Sequence, residues 1–161
     1  LQQHYKEWYR KISYQFDAYM PFGINSLKTT LYSMDLYKGE MTAAKSKAVW
    51  NQKSVLKGTQ YRGFWKVDCT QKGRYKIRMC RWPERLPFRL RNGPKKAKHL
   101  DIVKAQVALD GVERTKFLKG NEKDVAFVLD IPEGVHTLQA DFTNRKEEVF
   151  SAYYVYIEKV L

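Results

Sequence analysis

Helical spacing of apolar residues appears once, at the start of the chain. Tyr5, Trp8, Tyr9, Ile12 and Phe16 recur every three or four positions, with Lys6, Arg10 and Lys11 between them. This spacing predicts an amphipathic helix over about residues 2–16, its aromatic side a packing face. After Pro21 the apolar stretches shorten to Phe22 to Ile24 and Leu27 to Met34, which read as strands. Lys38 to Lys47 is polar and has no period, so it reads as a long loop, closed by Trp50, Asn51 and Gln52.

From Phe64 onward the period is two. Trp65, Val67 and Cys69 alternate with polar residues, as do Tyr75, Ile77 and Met79 beyond Gln71-Lys72-Gly73. A three-residue loop with glycine in the left-handed position predicts a hairpin pairing Cys69 with Tyr75, Val67 with Ile77 and Trp65 with Met79. Cys69 and Cys80 then fall on opposite faces of one sheet. Arg85 to His99 holds Pro87, Gly93 and Pro94 and reads as a loop. Val103, Ala105, Val107 and Leu109 alternate up to Asp110-Gly111, a two-residue hairpin signal. Val125 to Ile131, a turn at Pro132-Glu133-Gly134, Leu138 to Phe142 and Ser151 to Glu158 supply the remaining strands. The fold class expected is mainly β: an antiparallel β-sandwich of jelly-roll type (about residues 20–161) behind the N-terminal helix, in a single domain, 1–161.

The sequence carries a formal net charge of +13, and Glu84 is the only acid between Lys72 and Lys98. Arg78, Arg81, Arg85, Arg89, Arg91, Lys95, Lys96 and Lys98 are therefore candidates for binding a polyanion, set against the alternative of a solvated basic surface. Two cysteines without metal spacing read as packing residues. The histidines are scattered, and His136 reads as an edge or surface residue. Most aspartates sit near strand ends and turns, where they serve turn geometry. No phosphate loop, hydrolase elbow or zinc motif is present, and nothing assembles a catalytic centre. Trp65, Tyr75 and Phe127 lie on the apolar phase of strands and are expected in the core. Trp50, Trp82, Tyr37 and Phe88 lie in loops and are better placed to touch a ligand or another domain.

Several strings form an ordered set: His4-Tyr5-Lys6-Glu7-Trp8, Trp50-Asn51-Gln52, Gly63-Phe64-Trp65-Lys66-Val67, Gly73-Arg74-Tyr75, Arg81-Trp82-Pro83-Glu84 and Ala152 to Glu158. The set resembles the C-terminal region of bacterial formylglycine-dependent arylsulfatases and spans nearly the whole chain. The resemblance implies a non-catalytic accessory domain packed on a sulfatase catalytic domain of the same chain. That upstream domain is expected to use calcium and a formylglycine formed in a Cys/Ser-x-Pro-x-Arg motif. Neither Cys69, followed by Thr70-Gln71-Lys72, nor Cys80, followed by Arg81-Trp82-Pro83, fits the motif. Leu1 falls inside a helix already under way, so the sequence is expected to be a fragment lacking that domain. Leu36 and Tyr37 depart from the tryptophan and histidine that follow the aspartate in the family's version of Ser33-Met34-Asp35.

Within that resemblance Asp35, Tyr37, Trp50, Asn51, Gln52 and Trp82 are candidates for contact with substrate or with the catalytic domain. Indole rings stack on sugar faces and amides bond hydroxyls, although the amides could equally tie the long loop to the sandwich. A sulfated glycan is the ligand the resemblance implies; nucleic acid is not expected, and no segment reads as a membrane span. Export to the periplasm or outside the cell follows from the resemblance alone. The alternative is a stand-alone carbohydrate- or polyanion-binding β-sandwich.

Overall fold

The computed structural model describes residues 2–16, 18–39 and 47–160, so most of the long polar loop lies outside the described residues. Helix α1 (Gln2–Phe16) is followed by short strands β1 (Phe22–Ile24), β2 (Thr29–Tyr32) and β3 (Tyr37–Lys38), a 3-10 turn at Ser33–Asp35, and a second helix, α2 (Gln52–Lys57). Eight strands complete the chain: β4 (Gly63–Cys69), β5 (Gly73–Cys80), β6 (Ile102–Leu109), β7 (Val112–Phe117), β8 (Asp124–Ile131), β9 (Gly134–Asn144), β10 (Val149–Ser151) and β11 (Tyr154–Lys159). They form the expected β-sandwich. One sheet runs β1-β4-β9-β6-β7, with β10 attached to β9 and β3 to β4; the other runs β2-β11-β5-β8. All pairings are antiparallel except β1 with β4.

The core is the seam between the sheets. Trp65 and Val67 of β4, Leu138, Ala140 and Phe142 of β9 and Ala105 and Val107 of β6 meet Tyr75, Ile77 and Met79 of β5, Phe127 of β8 and Val155 and Ile157 of β11, all of them buried. Each large side chain taken from water here contributes roughly 1.5–3 kcal/mol before entropy is counted. Trp65, Tyr75 and Phe127 are core residues, as their alternation predicts.

The hairpin expected between residues 65 and 79 does not form. β4 pairs with β9, β1 and β3, whereas β5 pairs with β11 and β8, so the chain crosses from one sheet to the other at residues 70–72. The six apolar residues still face a common interior, but across the seam and not side by side. Alternation specifies which face is inward and leaves the hydrogen-bonding partner open. The crossing is stitched by the Tyr75 hydroxyl, which donates to the Gln71 carbonyl at 2.5 Å, and by the Cys69 thiol, 3.2 Å from the same oxygen. Cys69 and Cys80 thus lie in different sheets, both buried and unbridged. Burial pushes the Cys80 thiol up to about 12, which leaves it unreactive at neutral pH. The hairpin signalled by Asp110-Gly111 does form, with Leu109 opposite Val112 and both turn residues at positive φ, 48° and 84°.

Two further expectations are corrected. The α1 residues Tyr5, Trp8 and Tyr9, expected on a packing face, are more than half exposed. His136 is buried, because it shares the inward face of β9 with Leu138 and stands opposite Val67. Its Nδ1 lies 2.6 Å from Asp110 Oδ2 and its Nε2 2.9 Å from the Pro132 carbonyl, so both ring nitrogens face acceptors. Burial opposes a charge on this ring, but the hydrogen bonds to Asp110 and Pro132 outweigh it and raise the imidazole above its usual range. Asp110 is held below the usual carboxylate range: burial opposes its charge, and the Thr137 N–H and His136 outweigh it. The histidine contribution is complete below the unfolded imidazole value and fades as pH rises through the folded one; the aspartate contribution fades as pH falls through its own lowered value. His136→Gln should therefore cost about 1–2 kcal/mol at pH 5 and less at pH 8, as read by urea unfolding. An equal loss at both pH values would refute the pairing.

Candidate functional site

The long loop returns to the sandwich through α2, and the contacts that seat it create a cleft. Asn51 caps the helix: its Oδ1 accepts from the Ser54 N–H at 2.9 Å and from the Ser54 hydroxyl at 3.1 Å. Gly58, at φ 64°, ends it, with Leu100 packed where a Cβ would stand. The Gln52 amide donates to the Tyr154 hydroxyl on β11. On the other wall, the Ser33 N–H donates to the Tyr153 carbonyl at 3.0 Å, and the indole N–H of core Trp65 donates to the Tyr32 carbonyl at 3.0 Å. Between these walls lies a cleft of about 180 Å³, lined by Tyr32, Ser33 and Met34 on one side, Val49, Asn51, Gln52 and Val55 on the other, and Tyr153 and Tyr154 below.

Aromatic rings and unused amide atoms meet here. Tyr32 packs edge-on against Tyr154 at 5.7 Å and is itself 42% exposed; Trp50, beside the lining residues Val49 and Asn51, is 70% exposed. The structural ties occupy Asn51 Oδ1 and Gln52 Nε2, which leaves Asn51 Nδ2 as donor and Gln52 Oε1 as acceptor. Asp35 follows Met34 in the same 3-10 turn, without an ion pair among the described residues. Burial raises its carboxyl above the usual range, against a lowering by the Tyr32 backbone.

The other contact candidates lie elsewhere. Tyr37 fastens the segment after α1: its hydroxyl accepts from the Met20 N–H at 2.8 Å, and its ring meets Tyr19 and Phe64. Gly63 allows β3 its place, since a Cβ there would collide with the Tyr37 carbonyl oxygen. Trp82, expected as a contact residue, is buried; its indole N–H donates to the Arg89 and Asn92 carbonyls, and its ring covers Gly93.

The basic set also divides. Arg81 is fully buried and donates to the carbonyls of Val55, Leu90, Arg91 and Lys98, at 3.3, 3.4, 3.2 and 2.7 Å, with its guanidinium 4.6 Å from the Trp82 ring centre. Burial lowers its pKa to about 10, against a raising by Tyr153, so it remains a cation at neutral pH. Arg78 lies among Glu84, Asp124 and Glu158, and Arg91 bonds Asp101 and the Ile102 carbonyl. Arg81 is thus not available to a polyanion, and Arg78 and Arg91 are engaged in internal pairs. Arg85, Arg89, Lys95, Lys96 and Lys98 are exposed.

Sequence reasoning missed α2, Tyr32, Met34 and Tyr154. Asn51 as cap, Lys57 in the last turn and Gly58 just after it were the available signals for the helix. A larger groove of about 330 Å³ opens between β7 and β8, lined by Val112, Arg114, Val128 and Asp130 among others, with no aromatic ring among the described lining residues. Among the described residues no cluster of His, Cys, Asp and Glu could hold a metal, and no helix is long and apolar enough to cross a membrane.

No protein-family model matches this sequence, and no curated protein matches it. Among solved structures it is similar to the CBM35 of Abf62 from Cellvibrio japonicus, with 12% identity, a TM-score of 0.43, and coverage of 84% of this chain and 95% of that one. It is also similar to a ruminal GH26 endo-β-1,4-mannanase (14%, TM-score 0.44, 89% of this chain) and to the Podospora anserina GH26-CBM35 β-(1,4)-mannanase (9%, TM-score 0.46, 85% of this chain). The chain spans 27% and 28% of the length of those two enzymes.

Arg81→Met should leave four carbonyls without their donor and cost about 3 kcal/mol, a fall in Tm of roughly 6–12 °C by calorimetry. A variant as stable as the parent would show that the guanidinium does not hold these segments together.

Proposed function

We propose that this β-sandwich is a non-catalytic glycan-binding module and that the cleft between the 3-10 turn and α2 takes the sugar. The observation that carries this reading is the arrangement at the cleft: an indole and a phenol exposed beside amide atoms that their structural ties leave over. The apolar C–H face of a pyranose stacks on such rings, while Asn51 Nδ2 donates to hydroxyl oxygens and Gln52 Oε1 accepts from hydroxyl protons. Asp35, next in sequence to the lining residue Met34, is a further candidate acceptor. Rings for stacking and amide atoms for hydroxyls, the groups among the described lining residues, support retention of a sugar.

A second reading places the module in an arylsulfatase-like hydrolase, packed on a catalytic domain that carries the calcium and formylglycine chemistry and acts outside the cytoplasm. The observation favouring it is that the strings of the family resemblance meet in space. The Gln52 amide donates to the Tyr154 hydroxyl, and the Glu84 N–H donates to the Tyr156 hydroxyl at 3.0 Å. The exposed aromatic side of α1 is the surface such a domain would cover. The gene decides this reading: an open reading frame with no upstream Cys/Ser-x-Pro-x-Arg motif would end it.

Trp50→Ala should weaken binding of neutral oligosaccharides by about 1 kcal/mol, roughly fivefold, with Tm unchanged. Titration calorimetry across a panel of neutral glycans measures this; a protein that binds none of them does not carry a sugar cleft.

A further inference from the structure

Between Glu40 and Asp68 the chain has no acid, and between Glu84 and Asp101 it again has none. The fold lays these two acid-free stretches side by side. Arg81 bonds carbonyls of both, the Lys98 N–H donates to the Leu56 carbonyl at 2.8 Å, and Leu100 packs on Gly58. Lys53 and Lys57 stand one turn apart on the exposed side of α2. Lys95 and Lys96 are the central residues of a turn closed by Ala97 N–H to the Pro94 carbonyl at 2.7 Å, and Lys98 follows. None of these five lysines makes an ion pair among the described residues. A cationic ridge therefore starts at the first turn of the helix whose N-terminal residues wall the cleft.

Among the described residues that line it, the cleft has no charged side chain. We propose that its ligand is one stretch of an acidic polysaccharide, a chain whose sugars carry carboxylate or sulfate groups. Lys53, Lys57, Lys95, Lys96 and Lys98 hold the part of that chain that leaves the cleft along α2. This rests on the glycan reading of the cleft. Helix α2 is roughly 9 Å long at 1.5 Å per residue, so a single sugar in the cleft does not reach Lys57 and a polymer does. Ammonium groups on flexible stems act as point charges without a fixed fork, so carboxylate and sulfate are met by the same chemistry. Single-stranded nucleic acid binds through successive aromatic platforms. Among the described residues the ridge offers no such series: Trp82 is buried, and Trp50 stands alone between the cleft residues Val49 and Asn51.

The test is titration of the protein with polygalacturonate, dextran sulfate, uncharged dextran and single-stranded DNA at 50 and 200 mM salt. Parallel titrations use Lys53→Gln/Lys57→Gln/Lys98→Gln, Lys95→Gln/Lys96→Gln and Trp50→Ala. The acidic chains should bind at least tenfold more tightly than dextran at 50 mM salt and lose roughly tenfold or more of that affinity at 200 mM. Each lysine variant should keep its Tm and its affinity for neutral oligosaccharide while losing affinity for the acidic chains, the triple variant by tenfold or more. The better-bound acidic chain names the anion. Equal binding of dextran and the acidic chains, or lysine variants that bind acidic chains like the parent, would overturn the proposal. DNA held more tightly than either chain by the same lysines would overturn it in favour of nucleic acid. If Trp50→Ala weakens nothing while the lysines still matter, the cleft reading fails; if the lysines do not matter and Trp50 does, only the ridge fails.

Discussion

The apolar seam between the two sheets is the constraint from which the rest of the structure hangs. Trp65 sits in the middle of it with no exposed surface, and an indole N–H buried there needs a partner. The partner is the carbonyl of Tyr32, so a core residue of one sheet fixes the end of β2 in the other. The turn that follows carries Ser33 and Met34 into the wall of the cleft. The position of the candidate site is thus a consequence of satisfying one donor in the core.

A second buried donor organises the opposite wall. The Arg81 guanidinium makes no ion pair with a carboxylate among the described residues; it is held by backbone carbonyls from three segments and covers Trp82 with its face. A lone buried cation is costly to desolvate, and carbonyl dipoles offset that cost only when several converge. Here their convergence draws α2 and the 90–98 stretch together. Because those segments lack acids, the same contact that keeps one cation inside sets several others next to each other outside.

The cleft is smaller than the groove between β7 and β8, and chemistry outweighs volume in choosing between them. The larger groove has apolar residues between Arg114 and Asp130 but, among the described lining residues, no ring on which a sugar could stack. The smaller one brings Tyr32, Tyr154 and the neighbouring Trp50 to amide groups from the start of α2. Asn51 Oδ1 and Gln52 Nε2 maintain the architecture, which realises the structural reading of this cluster, while Asn51 Nδ2 and Gln52 Oε1 are the atoms on which the proposed ligand reading rests.

Period-two alternation by itself determined the β class, the inward faces of β4, β5 and β8 and the core roles of Trp65, Tyr75 and Phe127, and the turn residues Asp110-Gly111 determined their hairpin. All of these follow from local side-chain direction and turn geometry, which neighbouring residues dictate. On β6, which carries a bulge near Ile102, only Ala105 and Val107 of the four alternating residues are buried. Tertiary structure alone decided that β4 and β5 belong to different sheets, because alternation carries no information about which strand lies alongside. It also decided that Trp82 and Arg81 are interior while Trp50 is exposed, since loop residues have no period to read. His136 was misplaced for a related reason: its inward direction was legible on β9, but the acceptors that let an imidazole stay buried, Asp110 and Pro132, come from turns that only the packed sandwich brings together.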